Sequence, residues 1–390
     1  MRRSPRFLLA TLAVAVQLPG GAPAAAATLF AFEDPRGDDN GSGVLLYPNR
    51  DDLKPGDLDL YRFSAEQKPD GIWFAVEMAQ PVRSPVGRVT EIGQSPVERL
   101  ARHGFYTFNV DVYIDTDRIA GSGGTNAIPG RRVAIDRGYA WERCIVLTPR
   151  PDVARTMLQM NLDEQFEAEL RADQGKVTKD QLRALQARSE QQVAELYYFP
   201  DRIKVQGRRV EFMVPVEFLG GTPVESWAYT VVVTGADIEM TGRPGAIGSR
   251  KPQMMTMTVA RGNRFSQFGI PGTADEGIPP VVDILAPDPD VQVTVLNDYD
   301  TVAGRLAAVP GVAPDGKQAV AGTGQPLTME QAARIDDAAS ASGSADDGAT
   351  TGAERRSVPA RLRTLNQLLE EGLITQSEYD ELRRKILAEL

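Results

Sequence analysis

The stretch YTFNVDVYIDTD, residues 106–117, alternates apolar and polar side chains and predicts a β-strand. Val110, Val112 and Ile114 fall on one face of this strand, where they can join a core. The opposite face carries the polar positions. Because Asp111 lies well inside the strand, we expect it to have a hydrogen-bonded structural role.

Further strands precede and follow this one. Short runs of the same kind, separated by glycine and proline turns, cover residues 57–67, 71–82, 131–136, 141–148, 202–216 and 227–237. In the fifth of these runs, Gln206 and Gly207 separate two alternating halves and predict a hairpin turn. Many short strands joined by tight turns are typical of a β-sandwich, so we predict a mainly β fold of that class.

One segment departs from the strand pattern. Residues from about 152 to 196 are rich in Leu, Gln, Glu, Ala and Arg and carry few β-branched side chains. Their apolar spacing predicts helices, with Thr178 as an N-cap. We therefore expect a helical insertion between two strands of a sandwich that spans residues 28–300.

The two ends of the chain differ from this block. Residues 1–27 combine a basic start, a short apolar run and small residues in A-x-A spacing, which predicts a cleaved signal peptide. The run is shorter than the roughly 20 residues of a membrane-spanning helix. We expect an exported bacterial protein, periplasmic or secreted, with no membrane span after cleavage. Residues 301–356 predict a disordered linker, and residues 357–390 predict a helical hairpin.

Charge and reactive side chains restrict the function. The net charge of −10 argues against binding to nucleic acid. The single cysteine, Cys144, excludes a disulfide within the chain and is expected to be a small buried side chain. The chain has a single histidine, His103, and no G-x-S-x-G motif. We therefore predict that the protein is not an enzyme and has no catalytic residues.

Carboxylates are crowded into EDPRGDDNGSG, residues 33–43. Part of this loop matches the first half of an EF-hand calcium loop, but the closing glutamate and the flanking helices are missing. An ordinary solvated turn, rich in aspartate and glycine, is the alternative. A second acidic segment close by would require a cation to offset the repulsion, and the end of the strand at residues 106–117 is the best candidate. We therefore predict that five carboxylates approach one another and bind calcium: Asp34, Asp38, Asp39, Asp115 and Asp117.

Sugar binding needs exposed aromatic side chains with polar neighbours. The candidates for such ligand-binding platforms are Tyr47, Tyr106, Tyr139 and Trp141. The alternative is that these side chains pack in the core or at a sheet edge, as aromatic residues of strands usually do. We assign Trp73 and Trp227, which lie within apolar alternation, to the core.

Several motifs together resemble the C-terminal binding module of glucodextranase. They are DPRGDDNGSG with the following YP and LKPGDLDLYRF, then DVYIDTDRIAGSGGTNAIPGRR, AWERCIVLTP and YFPDRIKV. The resemblance covers most of residues 29–297, and that family is related in architecture to DOMON-like sandwiches and to carbohydrate-binding modules of xylanases. It implies a β-sandwich that binds a polysaccharide or a polymer of the cell envelope.

The C-terminal stretch LRTLNQLLEEGLITQSEYDELRRKIL resembles a SHOCT domain, a short helical hairpin. This resemblance implies contacts between copies of the chain, and hence a homo-oligomer. Three functions stay open at this point: a binding module, a DOMON-like haem or redox protein, and a scaffold or assembly protein without a sugar ligand. In the haem alternative, His103 and one of the ten methionines would ligate the iron. Met254, Met255 and Met257 are the candidates, and packing of these side chains in the core is the other interpretation.

Overall fold

The computed structural model describes residues 27–90, 94–239, 254–262, 267–272 and 277–316. The predicted signal peptide up to residue 26, most of the predicted linker and the SHOCT-like hairpin lie outside these residues. The described strands are β1 (Ala27–Glu33), β2 (Leu60–Lys68), β3 (Gly71–Met78), β4 (Phe108–Asp115), β5 (Val133–Ile135), β6 (Arg143–Leu147), β7 (Tyr197–Tyr198), β8 (Ile203–Gln206), β9 (Arg209–Val214), β10 (Ala228–Gly235), β11 (Thr258–Arg261), β12 (Gln267–Ile270), β13 (Val281–Ile284) and β14 (Ala307–Val309). The described α-helices are α1 (Pro151–Gln174), α2 (Lys179–Leu196), α3 (Val216–Leu219) and α4 (Pro289–Asn297).

Two five-stranded sheets form the body of the protein. The first has the order β1-β2-β3-β9-β8, and the second has the order β13-β10-β4-β6-β7. Aromatic rings fill the space between them, and Phe63 stacks on Phe74 with ring centroids 5.9 Å apart. Phe30 of β1 meets Tyr229 of β10 at 4.4 Å, so the first sheet lies directly on the second. The predicted β-sandwich is confirmed.

Strand β4 lies at the centre of the second sheet, between β10 and β6. Val110, Val112 and Ile114 enter the core between the sheets, as the alternation predicts. The opposite face of β4 is buried as well, because helices and loops cover it. Asp111 on that face forms a paired, hydrogen-bonded salt bridge with Arg131, and neither side chain is exposed. The structural role expected for Asp111 is confirmed.

Helices α1 and α2 occupy the segment for which helices are predicted, between β6 and β7. Thr178 caps α2, and its hydroxyl and the Gln181 side chain form a reciprocal capping box. Leu158 of α1 and Val193 of α2 pack on the outer face of the second sheet, next to Cys144. Among the described helices, none is long and apolar enough to cross a membrane.

Two sequence-based boundaries are wrong. Residues 301–316 belong to the sandwich and not to the linker, because β14 pairs with β5 and Val312 exchanges backbone hydrogen bonds with Tyr229. Alanine and valine suffice for this short strand, so composition alone gave no sign of it. The hairpin between β8 and β9 turns at Gly207 and Arg208, since Gln206 already pairs with Arg209.

Candidate functional site

The acidic loop after β1 ends against strand β13. Carboxylate oxygens of Asp34, Asp38 and Asp283 lie within 4.8 Å of one another, and all three residues are buried. Asp59, just before β2, is also buried and is close enough to raise the pKa of Asp34 by repulsion, although burial is the larger cause. We call these four residues the buried acidic cluster. The cluster joins the β1–β2 loop of the first sheet to an edge strand of the second.

Hydrogen bonds to the buried acidic cluster are incomplete. Three of its carboxylates accept one backbone N–H bond each, of 2.6 or 2.7 Å: Asp34 from Ala286, Asp59 from Gly37 and Asp283 from Leu60. Each of the four residues also has one buried oxygen without a hydrogen-bond partner: Oδ2 of Asp34 and Oδ1 of Asp38, Asp59 and Asp283. Buried polar atoms normally have partners, so four such oxygens in one place require an explanation.

Burial disfavours the charged form of every member of the cluster. It raises the pKa of Asp34 to about 9 and that of Asp59 to about 6. Burial, with repulsion from Asp34 and Asp38, raises the pKa of Asp283 well above its usual range. None of the four carboxylates has a salt bridge within the described part of the chain. A cation between them would favour their ionised forms.

Asp39 does not share this arrangement. One of its carboxylate oxygens accepts hydrogen bonds from the Tyr47 hydroxyl and from the backbone N–H of Gly56. The loop itself is fastened to helix α4, because Gln292 donates to the carbonyl of Asp38 and Asn297 donates to the carbonyl of Ser42. The sequence-based prediction grouped Asp39 with Asp34 and Asp38 because the three are close in the chain. In the structure, the Asp39 carboxylate bonds to Tyr47 and Gly56 instead.

Asp115 and Asp117 form a different cluster with Glu142, whose carboxylate oxygens also lie within 4.8 Å of theirs. The predicted approach of the two acidic segments is therefore wrong. Asp115 pairs with Ala228 at one end of β10, whereas Asp283 pairs with Val233 of the same strand. Five residues of strand correspond to about 17 Å, and the two aspartates lie on strands that flank β10 from opposite sides.

Local hydrogen bonds account for most of the oxygens of this second cluster. Asp117 accepts from the N–H of Ile119 and from the Ser122 hydroxyl, and Glu142 accepts from the N–H of Thr116. Asp115 is buried and accepts from the N–H of Arg118, although its Oδ2 has no hydrogen bond. Burial raises the pKa of Asp115 to about 6. The cluster has the bonding of a tight turn that is open to solvent at Asp117.

The four candidate platforms for a sugar do not present free aromatic faces. Tyr106 is 1 % exposed, and its hydroxyl donates to Asp52 over 2.5 Å. Tyr139 and Trp141 are each 4 % exposed, and Tyr47 is half-buried against the ring of Phe268. The expectation that they form exposed platforms is wrong, because loops cover the ends and outer face of the second sheet. The alternative of core packing describes all four.

The outward face of the first sheet carries a charged network that the sequence analysis did not identify. Arg209 contacts three carboxylates there, those of Glu66, Glu77 and Glu211, at 3.4, 2.7 and 2.8 Å. Trp73 is buried as predicted, but on this outward face, beneath the ammonium groups of Lys68 and Lys204 at 4.8 and 4.3 Å from its ring. We call these residues the charged sheet face: Glu66, Lys68, Trp73, Glu77, Lys204, Arg209 and Glu211. The period-2 alternation of β3 could have placed Trp73 there.

A protein-family model matches most of the chain. The family described as the C-terminal binding module, SLH-like, of glucodextranase matches residues 29–311. The chain belongs to this family. The matched region contains both sheets apart from the first two residues of β1, the two helices between β6 and β7, and every residue of the two acidic clusters. No curated protein matches the chain.

The family is a binding module and not a catalytic domain, which agrees with the absence of a catalytic motif from the sequence. In this glucodextranase-type module, His103 lines a cavity of about 260 Å³ together with Arg99, Arg102 and Arg150. No methionine lines that cavity in the part of the chain that the structure describes. Met254, Met255 and Met257 are core side chains, so the structure does not bring together the ligand pair of the haem alternative.

Proposed function

We propose that the protein is an exported, non-catalytic module that binds a carbohydrate or another polymer of the cell envelope. The observation that carries this proposal is the family match over residues 29–311, because that family consists of binding modules of a polysaccharide-degrading enzyme. The basic and apolar N-terminal sequence supports export. The SLH-like character of the family also favours a location in the cell envelope or outside the cell.

The charged sheet face is the proposed contact surface. Helices α1 and α2 pack on the second sheet, and the outward side of the first sheet remains accessible around half-buried Glu66, Glu77 and Arg209. Sugar hydroxyls both donate and accept hydrogen bonds, and paired guanidinium and carboxylate groups offer both partners. Trp73 is 4 % exposed beneath Lys68, Arg202 and Lys204, so the proposed contacts come from the charged groups above its ring.

Two further elements complete the proposal. Calcium stiffens the acidic loop after β1, and the SHOCT-like tail at residues 357–390 brings copies of the chain together. Binding at a single open sheet face is expected to be weak. Joining several modules raises the effective concentration of each at a repetitive polymer, so self-association would increase retention without any new contact.

Retention on insoluble polysaccharides tests the proposal. The mature protein is mixed with insoluble glucans and with peptidoglycan, and the bound fraction is measured against polymer concentration. We expect saturable retention on at least one polymer, weakened at least about tenfold in Arg209→Ala, which removes the guanidinium donors, and in Glu77→Gln, which replaces a charged acceptor oxygen with a neutral amide donor. Arg171→Ala is the matched control, because Arg171 also pairs with a glutamate but lies on α1.

The melting temperature of each variant shows whether it is folded. No retention of the folded wild-type protein on any of these polymers would contradict the proposed function. Retention that Arg209→Ala and Glu77→Gln leave unchanged would place the binding surface elsewhere on the sandwich.

A further inference from the structure

We propose that the buried acidic cluster is a binding site for one calcium ion, which fastens the loop after β1 to strand β13. The proposal rests on the calcium part of the proposed function and names the residues that would bind the ion. It does not depend on glycan binding. The site differs from the one expected from sequence, because Asp283 replaces Asp39, Asp115 and Asp117, with Asp59 close beside the three ligands. The ligands come from the first sixty residues and from a strand near the end of the sandwich.

The first support is the set of unpartnered oxygens. Asp283 is fully buried, and its Oδ1 has no hydrogen-bond partner, although its Oδ2 is held by the N–H of Leu60. Asp34 and Asp59 repeat this pattern, with one oxygen held by the backbone and one left over. Backbone bonds thus fix the orientation of three carboxylates while leaving an oxygen of each available. This is the arrangement that a preformed cation site requires.

The second support is charge. The cluster brings several carboxylates together in the interior, where uncompensated charge is costly. The Arg36 guanidinium is near enough to lower the pKa of Asp59, but Arg36 is exposed and stacks on Tyr61 at 3.8 Å. A divalent cation among Asp34, Asp38 and Asp283 would favour their ionised forms and give their unpartnered oxygens ligand bonds.

The third support is distance. Oxygen ligands about 2.4 Å from a calcium ion lie at most about 4.8 Å apart, and the oxygens of Asp34, Asp38 and Asp283 satisfy that limit. Magnesium has shorter bonds, prefers strict octahedral geometry and usually keeps several of its waters. A buried site lined with carboxylates from two loops and a strand therefore fits calcium better.

The second acidic cluster provides the contrast. The carboxylates of Asp117 and Glu142 are already held by backbone N–H groups and by the Ser122 hydroxyl. Asp117 is exposed, so water can solvate the charge there. The same residue type therefore occurs in both clusters with different bonding, and Asp117 offers a matched position for a control variant.

The experiment uses the full mature chain, stripped of metal with EDTA and dialysed. Calcium binding is measured by titration calorimetry, and the melting temperature is measured with calcium, with magnesium and with EDTA. We expect one calcium ion per chain and a melting temperature that rises by about 5–10 °C when calcium is at 100 times its dissociation constant. Magnesium at the same concentration should produce a smaller rise.

Variants locate the site. Asp283→Asn is expected to weaken calcium binding at least about tenfold, since it removes a charged ligand without changing the shape of the side chain. Asp38→Asn, in the less enclosed loop, should do the same, and it keeps the test decisive if Asp283→Asn does not fold. Asp117→Asn should bind calcium like the wild type.

Two results would overturn the inference. One is a folded protein that takes up no calcium and melts at the same temperature in EDTA. The other is calcium binding that is lost in Asp117→Asn and retained in Asp38→Asn. Polysaccharide retention is measured on the same samples, so failure of the glycan proposal and failure of the calcium site are distinguished.

Discussion

Asp34, which follows edge strand β1 of the first sheet, and Asp283, in edge strand β13 of the second, are buried side by side. Each accepts a hydrogen bond from a backbone N–H group outside its own sheet, Asp34 from Ala286 and Asp283 from Leu60. The two edges of the sandwich are therefore joined by polar contacts as well as by the aromatic core. Loss of either hydrogen bond would weaken the connection between the two sheets.

The Asp111–Arg131 pair is the second polar connection in the interior. Asp111→Asn leaves the Arg131 guanidinium buried and without its carboxylate, which should lower the free energy of unfolding by about 3–5 kcal/mol. Urea denaturation measures this loss. The control is Asp180→Asn, which breaks the exposed Arg183–Asp180 pair and should cost less than about 1 kcal/mol. Equal effects of the two substitutions would show that the buried pair contributes no more to the free energy of unfolding than the exposed pair does.

Sequence patterns predicted the faces of β4 but could not predict its partners. The alternation placed Val110, Val112 and Ile114 correctly because a strand has a fixed period of two. The partner of Asp111 is Arg131, beyond the next loop, and nothing in the local pattern marks that arginine. Asp283 was missed for a similar reason, since VVDI reads only as a short apolar strand with one polar position.

The two acidic segments show the same limit. Crowding of carboxylates correctly marked the N-terminal loop as unusual, because local sequence reveals local charge density. Which segment lies opposite depends on the order of strands in the second sheet, and this order is set by pairings between residues far apart in the chain. The family resemblance could be recognised from the sequence motifs. The residues that form the buried acidic cluster could be identified only from the structure.

Tyr106 tests the assignment of an aromatic candidate to the core. Burial opposes ionisation of Asp52, but hydrogen bonds from Arg50 and Tyr106 outweigh it and lower the pKa of Asp52 to about 2. Tyr106→Phe removes one of these bonds and should lower the free energy of unfolding by about 1.5–3 kcal/mol at pH 7. Tyr61→Phe, on a half-buried ring that stacks on the Arg36 guanidinium, is the matched control.

The effect of Tyr106→Phe should depend on pH. Because the folded-state pKa of Asp52 is depressed, its contribution to stability is present above the unfolded pKa of about 3.9 and is lost as the pH falls through about 2. The difference between wild type and variant, measured by urea denaturation, should therefore shrink between pH 4 and pH 2. A difference that stays constant over this range would contradict the role assigned to the Tyr106–Asp52 bond.

Truncation tests the C-terminal boundary of the sandwich. A chain that ends at residue 316 should melt at the temperature of the full chain. A chain that ends at residue 300 loses β14, with buried Ala307 and Val309, and the hydrogen bonds of Val312 to β10. Loss of this apolar burial and pairing should lower the free energy of unfolding by at least about 3 kcal/mol. Equal melting temperatures for the two truncated chains would show that residues 301–316 do not stabilise the sandwich and belong to the linker.

The most direct test of the binding-module account is a glycan array probed with the labelled, folded mature protein in the presence of calcium. We expect binding to one class of polysaccharide, reduced at least about tenfold in Arg209→Ala and unchanged in Arg171→Ala. Failure of the folded wild-type protein to bind any glycan on the array would contradict it.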